Sequence, residues 1–135
     1  MLVSPSLLAA DFGNLEREMA WFNASRADML HLDVMDGVFV PNISFGFPVL
    51  RHVARLCQKP LDVHLMIVEP QKFIPEVANL GARYMNVHYE AVTHHHRVVQ
   101  QLREAAEAEE KKAEDAKPKD MDALLEALKN KHKQI

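Results

Sequence analysis

Two short stretches of the chain carry residues able to bind a metal ion. LHLDVM contains His31 and Asp33, and LDVHLM contains Asp62 and His64. Alternate side chains of a strand point to the same face, so each stretch presents a histidine together with an aspartate. Imidazole and carboxylate groups are typical ligands of divalent metals, and a carboxylate can also act as a general base. We therefore predict a divalent-metal site formed by His31, Asp33 and His64, with Asp33 as a candidate base.

Other interpretations of these residues are open from the sequence alone. A single buried histidine in a strand is more often a hydrogen-bonded core residue than a metal ligand. Two histidines and an aspartate on one face of consecutive strands strengthen the metal interpretation. Met35 and Met66 fit either core packing or soft contacts around a small ligand. The run of histidines at 94–96 opens a predicted helix, where successive side chains splay apart, which favours a solvated helix start.

Short apolar runs alternate with amphipathic segments along the first ninety residues. They predict strands at 2–7, 29–34, 61–67 and 84–89, and helices at 14–24, 46–57 and 70–80. Asn14 is placed to cap the first helix, and Gly81 to end the third. One strand and one helix take about 25 to 30 residues, which is typical of βα units and a parallel sheet. The first and last strands add further polar residues to the histidine-bearing face: Ser4, Ser6, Asn86, His88 and Glu90.

The chain changes character after its fourth predicted strand. Residues 94–116 predict one long helix, which the pair Lys117-Pro118 ends. A last helix follows, capped by Asp120, with its apolar residues on one face: Met121, Leu124, Leu125 and Leu128. The segment 105–117 carries almost no large apolar side chain. We therefore predict a βα region at 1–105 and a helical extension at 106–135 that packs on the same domain.

Composition and charge exclude several classes of protein. At 135 residues, with 48% hydrophobic and 26% charged residues, the chain is typical of one soluble globular domain. Its net charge of -3 gives no indication of a nucleic-acid or membrane partner. No apolar run approaches the ~20 residues of a membrane-spanning helix, and the N-terminus lacks the basic region of a signal peptide. Cys57 is the only cysteine, so a cytoplasmic location is expected.

Four stretches resemble ribulose-phosphate 3-epimerases, in the same order along the chain: SPSLLAADFGNL, LHLDVMDGVFVPNISFGFPVL, PLDVHLMIVEP and NVHYEA. The second stretch is a highly specific signature of that family. The resemblance covers about residues 1–105. It implies an α/β fold that is half of a (βα)8 TIM barrel, with four parallel strands alternating with helices and the C-terminal amphipathic helix after them.

The resemblance also implies roles for individual residues. In the family a divalent metal, often zinc or iron, is held by residues that match His31, Asp33 and His64, and by a further aspartate on the seventh strand. Asp33 matches one of two aspartates that move the C3 proton of a pentulose 5-phosphate. The implied substrate-binding set is Ser6, His31, Met35, His64 and Met66. The reaction removes a proton from one face and returns one on the other, so it needs two acid/base groups and a cation that stabilises the enediolate.

The tail departs from the family pattern. Where the family continues into a fifth strand, this sequence reads REAAEAEEKKAEDAKPKDMDALLEALKNKHKQI, which is rich in helix formers. The seventh-strand aspartate and the family's glycine-rich phosphate loops have no match there. The sequence favours an engineered or truncated epimerase fragment, a fold scaffold with little or no activity. Two alternatives stay open: an epimerase of D-ribulose 5-phosphate and D-xylulose 5-phosphate, active as a dimer or with a complementary half, and a non-catalytic metal-binding module.

A half barrel leaves two sheet edges and one sheet face uncovered. Two copies could pair to complete the barrel, the sheet could flatten into a flavodoxin-like layer, or the last helix could cover the apolar surface. We expect the last helix to dock on the sheet or on its neighbouring helices, and we expect a homodimer.

Overall fold

Three parallel strands form the central sheet in a computed structural model, which describes residues 1–116, 125, 126, 129 and 130. The strands lie side by side in the order β1 (Leu30–Met35), β2 (Leu61–Met66) and β3 (Tyr84–Val87). The helices that alternate with them are α1 (Leu15–Ala24), α2 (Phe47–Leu56), α3 (Ile74–Asn79) and α4 (His95–Asp115). Parallel strands joined by helices confirm the predicted α/β class and match part of a TIM barrel.

The first of the four predicted strands is not formed. This segment makes a single parallel bridge to the sheet, between Ser6 and His31. The carbonyl oxygens of Val3 and Pro5 accept hydrogen bonds from the N–H groups of Asp28 and His31, both at 2.9 Å. Because Pro5 has no N–H group, it cannot donate a bond, and the ladder beside β1 stays incomplete. The segment still lies along β1 and brings Ser6 to the sheet.

The predicted helix at 70–80 is divided in two. Pro70–Phe73 forms a 3-10 turn, and α3 begins after it. Pro75, in the first turn of α3, has no N–H group to donate to the carbonyl four residues earlier, so one continuous α-helix cannot form. Gly81 follows α3 as predicted, with a φ of +74°. Glycine adopts this left-handed conformation without the steric cost that a Cβ would impose.

Capping near the N-terminus also differs from the prediction. Asn14 occupies the cap position of α1, but its side chain makes no capping hydrogen bond. Its Nδ2 instead donates to Asp11 Oδ2 at 2.7 Å. The side chains that do cap are those of Ser6 and Asp11, which accept from the N–H groups of Leu8 and Gly13 at the starts of two 3-10 turns. A short polar side chain caps a turn only where its own backbone conformation lets its oxygen reach an N–H group two or three residues later.

The two faces of the sheet differ in composition. One face is apolar and buried, and it is formed by alternate strand residues: Leu30, Leu32, Val34, Leu61, Val63 and Leu65. Residues of α1, α2 and α3 complete this core: Met19, Leu50, Val53 and Val77. The opposite face carries the polar residues of β1 and β2 and is only partly buried. We call these the apolar face and the polar face.

Helix α4 confirms the long helix predicted at 94–116 and runs without a break through residue 105. Its Val98 shares a small apolar cluster with Ile74 of α3 and with Val92. From residue 106 onwards, almost every residue of α4 is exposed.

The last predicted helix lies mostly outside the described residues, which include only 125, 126, 129 and 130 of its length. Those four residues are helical. In the described part of the chain, no helix is long and apolar enough to cross a membrane.

Candidate metal centre

Strand pairing places the histidines and aspartates of β1 and β2 side by side. The parallel register sets His31 opposite Asp62, and Asp33 opposite His64. All four side chains lie on the polar face and are partly buried. The leucine and valine residues between them point into the core, so period-two alternation alone is sufficient to direct the polar residues to the other face.

Three of these residues converge on one point. Oδ1 of Asp33 lies 3.0 Å from His31 Nε2 and 2.9 Å from His64 Nδ1. Each residue offers one ligand atom, and the three atoms lie within 4.8 Å of one another. Across the described ranges, this is the one group of three or more His, Cys, Asp and Glu side chains close enough to hold a metal ion. The structure therefore brings together the three residues that the sequence pointed to.

The donor set fits a divalent transition metal. Two imidazole nitrogens and one carboxylate oxygen are a common set for zinc with an open fourth position, and they also form the triad used by non-haem iron. With bonds of about 2.0–2.2 Å, neighbouring ligands of a tetrahedral zinc lie about 3.3–3.6 Å apart. The 2.9 and 3.0 Å separations are shorter by a few tenths of an ångström. The chemistry of the three donor atoms and their closeness to one another therefore fit such an ion.

The charges of the cluster stabilise one another. Partial burial alone would raise the pKa of Asp33, but hydrogen bonds from Ser6 and His64 and the nearby His31 hold that pKa below its ordinary value. Partial burial alone would lower the pKa of His31, but its hydrogen bond to Asp62 and the charges of Asp33 and Asp62 raise it above its ordinary value. Asp33 is therefore ionised at neutral pH, as both a metal ligand and a base must be.

The predicted substrate-binding residues lie around the same cluster. Ser6 Oγ donates to Asp33 Oδ2 at 2.8 Å, so the serine contacts the carboxylate directly. Met35 and Met66 are paired in the register, two residues beyond Asp33 and His64, on the same face and towards the carboxyl ends of the strands. Both methionines are partly buried rather than packed in the core.

A second set of polar residues contacts the cluster, and none of them was among the three predicted metal ligands. Asp62 Oδ2 lies 2.7 Å from His31 Nδ1, and Asp62 Oδ1 accepts from Asn86 Nδ2 at 2.8 Å. His88 Nε2 lies 2.8 Å from His64 Nε2. Alternation had placed these side chains on the histidine-bearing face, but only the strand register shows which ones meet.

Two further side chains attach the loop after β1 to the site. Ser44 Oγ donates to the carbonyl of Asp33 at 2.7 Å and accepts from the N–H of Met35 at 3.0 Å. Asp36 accepts from backbone N–H groups of this loop and of the loop after β2, which lowers its pKa. In the sequence, this turn after β1 could have been recognised from the Asp36-Gly37 pair, because such pairs are typical of tight turns. The φ of Gly37 is +73°.

Comparison with known proteins agrees with this geometry. Residues 2–123 match the ribulose-phosphate 3-epimerase family. The chain belongs to this family. The family match continues past residue 105 and includes part of the helical extension.

Individual relatives match a shorter region. Ribulose-phosphate 3-epimerase of Bacillus subtilis is 47% identical over 102 residues, which are 76% of this chain and 47% of that protein. The Synechocystis protein of the same name is 46% identical over 106 residues, 77% of this chain and 46% of that protein. Chloroplastic ribulose-5-phosphate-3-epimerase of Arabidopsis thaliana is 42% identical over 105 residues, 76% of this chain and 37% of that protein. The chain spans about half the length of the bacterial relatives or less.

Proposed function

We propose that this chain forms the metal-binding part of an epimerase site and has little or no epimerase activity alone. The observation that carries the proposal is the convergence of His31, Asp33 and His64 in a chain of the ribulose-phosphate 3-epimerase family. The names of the relatives indicate ribulose phosphate, and in one case ribulose 5-phosphate, as their substrate. For this chain we propose D-ribulose 5-phosphate, whose 3-epimer is D-xylulose 5-phosphate. A bound zinc or iron ion would stabilise the negative charge of the enediolate.

Asp33 is the residue we assign to proton transfer. Its carboxylate is held from two sides, by Ser6 on Oδ2 and by His31 and His64 on Oδ1. These contacts fix the orientation of the carboxylate, which a base requires in order to meet the C3 proton of a bound substrate. Met35 and Met66, the next residues on this face, would pack beside the substrate carbon atoms.

The reason for low activity is the number of acid/base groups on the site. Epimerisation needs a second group on the other side of the carbon from Asp33. Among the described residues, the carboxylates that contact the histidine ligands are Asp33 and Asp62, on neighbouring strands of one face. They would approach a substrate from the same side. A second acid/base group must therefore come from a complementary half or from another copy.

A coupled assay for D-xylulose 5-phosphate tests this function. We expect the zinc-loaded chain alone to give no more turnover than its Asp33→Ala variant. Adding the C-terminal half of the Bacillus subtilis relative should produce turnover that depends on Asp33. The matched control is Glu16→Ala, which removes an exposed carboxylate from α1. Turnover by the chain alone at the rate of the full-length relative would contradict the proposal. Zinc binding without turnover in any mixture would favour the non-catalytic metal-binding module.

An active homodimer is the second candidate, and the free side of β3 favours it. Among the described strands, β3 pairs only with β2, and Tyr84 on it is 45% exposed. Asp33 lies on β1, two strands from this edge, so the second copy must close the sheet into a barrel for its Asp33 to face the first. Light scattering measures the molar mass, and deuterium exchange into D-ribulose 5-phosphate reports proton removal. Twice the monomer mass together with Asp33-dependent exchange is expected of this dimer, and a monomeric mass would exclude it.

The proposal includes the origin of the tail, which we take to be an engineered helical extension. Residues 106–115 are helical, mostly exposed and rich in Ala, Glu and Lys, as expected of an engineered helical extension. Deleting 106–135 should leave the zinc affinity unchanged, and a loss of binding would show that the extension supports the site.

Cys57 bears on the location of the protein, which we propose to be the cytoplasm. It is partly buried, and burial raises the pKa of its thiol, as suits an unreactive cysteine there.

A further inference from the structure

Each histidine of the candidate metal centre has its second ring nitrogen held by another side chain. His31 Nε2 and His64 Nδ1 face Asp33, so they are the candidate ligand atoms. The other two nitrogens, His31 Nδ1 and His64 Nε2, face away from the cluster and lie at hydrogen-bond distance from Asp62 and His88. A histidine can bind a metal only through a nitrogen that carries no proton, so the contact at the other nitrogen affects binding.

Asp62 defines the proton position on His31. A carboxylate only accepts hydrogen bonds, so the 2.7 Å contact with Asp62 Oδ2 requires a proton on His31 Nδ1. Nε2 also lies 3.0 Å from a carboxylate oxygen, Asp33 Oδ1, so a metal bound there would take the place of the proton that Nε2 shares with Asp33, while Nδ1 keeps its own. The carboxylate is itself fixed, because Asn86 Nδ2 donates to its other oxygen at 2.8 Å. Asp62 and Asn86 thus hold the His31 ring in the orientation and tautomer that a metal ligand needs.

His88 contacts the second ring nitrogen of His64, as Asp62 does that of His31. Its ring meets that of His64 through the two Nε2 atoms, with centroids 4.9 Å apart and an interplanar angle of 24°, and Phe39 packs on it at the same centroid distance. The two Nε2 atoms lie 2.8 Å apart, so one of them donates and the other accepts. Where His64 Nδ1 donates to Asp33, a neutral His64 accepts at Nε2, so the shared proton lies on His88. A metal on His64 Nδ1 requires the reverse, with the proton on His64 Nε2.

We propose that Asp62 and His88 are positioning residues of the metal site, which set the tautomers of His31 and His64. The inference rests on the proposed metal site and adds the residues that orient it. It also predicts that metal binding reverses the direction of the His64–His88 hydrogen bond. Mutation of a side chain that hydrogen-bonds to a metal-binding histidine commonly weakens metal binding by about 10- to 100-fold.

Zinc titration of single variants tests the two positions. Asp62→Ala should bind zinc 10- to 100-fold more weakly than the unmodified chain, because the His31 ring loses its orientation. The control Glu16→Ala removes an exposed carboxylate and should bind as the unmodified chain does. A zinc affinity of Asp62→Ala equal to that of the control would overturn the role of Asp62. Circular dichroism of each variant establishes that it is folded.

At position 88 the variants separate ring packing from hydrogen bonding. His88→Phe keeps an aromatic ring against His64 and Phe39 but has no nitrogen, and should weaken zinc binding by about 10-fold or more. His88→Gln restores an acceptor and should recover most of the affinity. His96→Phe, a change at an exposed histidine of α4, is the control. Equal affinities for His88→Phe and the control would contradict the role of His88.

Imidazole 15N NMR of the unmodified chain gives the readout that a purely structural role would not change. Without zinc, the spectrum should show protons on His31 Nδ1 and His88 Nε2. With zinc, the proton of the His64–His88 pair should lie on His64 Nε2. An unprotonated His31 Nδ1 in the metal-free chain, or no change in the pair on zinc binding, would overturn the inference. No zinc binding by the unmodified chain would refute the metal site itself, which distinguishes the two failures.

Discussion

The two faces of the central sheet come from the same six-residue strands and have opposite properties. On β1, Leu32 is fully buried among the helices, while its neighbour Asp33 faces the other way and contacts two histidines. The apolar face joins the sheet to α1, α2 and α3. The polar face joins β1, β2 and β3 through side-chain hydrogen bonds. We therefore expect the apolar face to contribute most of the stability, whereas the polar face carries the residues of the candidate metal centre.

Substitution in the apolar face should have the largest effect. Leu32→Ala leaves a cavity in a core with no exposure at that position, so the free energy of unfolding should fall by about 2–5 kcal/mol. Urea denaturation of the metal-free chain measures it. Leu56→Ala, at a partly exposed position near the end of α2, is the control and should cost about 1 kcal/mol or less. Equal losses for the two variants would contradict the assignment of the faces.

Substitution in the polar face should affect binding more than stability. Asp33→Asn keeps the shape of the side chain but removes the charge shared by both histidines, so zinc affinity should fall by about 100-fold or more. The free energy of unfolding should change by about 1–2 kcal/mol, since charged hydrogen bonds are lost. Calorimetric zinc titration and urea denaturation separate the two effects. Unchanged zinc affinity would show that the polar face is structural only.

A smaller effect is expected where the N-terminal segment meets the polar face. Ser6→Ala removes the hydroxyl that donates to Asp33 and caps the following 3-10 turn. The loss should be about 1 kcal/mol in the free energy of unfolding. Ser6→Thr retains the hydroxyl and should recover most of it. A Ser6→Ala variant as stable as the unmodified chain would mean that the segment is held by its backbone contacts alone.

The smallest effect is expected away from both faces. Arg51 and Glu76 form an ion pair at 3.4 Å, with side chains that are 58% and 50% exposed. Such pairs contribute about 0–1 kcal/mol because water screens them. Arg51→Gln should therefore change the free energy of unfolding by less than about 0.5 kcal/mol. A loss as large as that of Leu32→Ala would show that the helix surface contributes stability comparable to that of the core.

The sequence was sufficient to predict three strands, the helices α1, α2 and α4, the two faces of the sheet and the three clustered residues. Period two on β1 and β2 identified which side chains turn away from the core, because each strand alternates without a bulge. Two prolines produce local structure that this periodicity did not predict. Pro5 leaves the first predicted strand as a single bridge, and Pro75 divides the third helix. In both places a missing N–H group overrides an apolar pattern that otherwise suits a strand or a helix.

The contacts that Asp62 and His88 make with the two histidines of the cluster could not be predicted from periodicity. Alternation placed Asp62 and His88 on the right face, but the partner of each depends on the relative register of three strands. Register is a property of the packed sheet, since loop lengths and core side chains together determine it. The assignment of Asp62 to His31 and of His88 to His64 therefore required the structure.

The most direct test is the metal content of the purified chain. After incubation with zinc and dialysis, elemental analysis should find one zinc per chain in the unmodified protein and in the His96→Ala control. His64→Ala removes one nitrogen of the cluster and should hold little or none. Equal zinc in His64→Ala and the unmodified chain, or none in either, would contradict the claim that His31, Asp33 and His64 form a metal site.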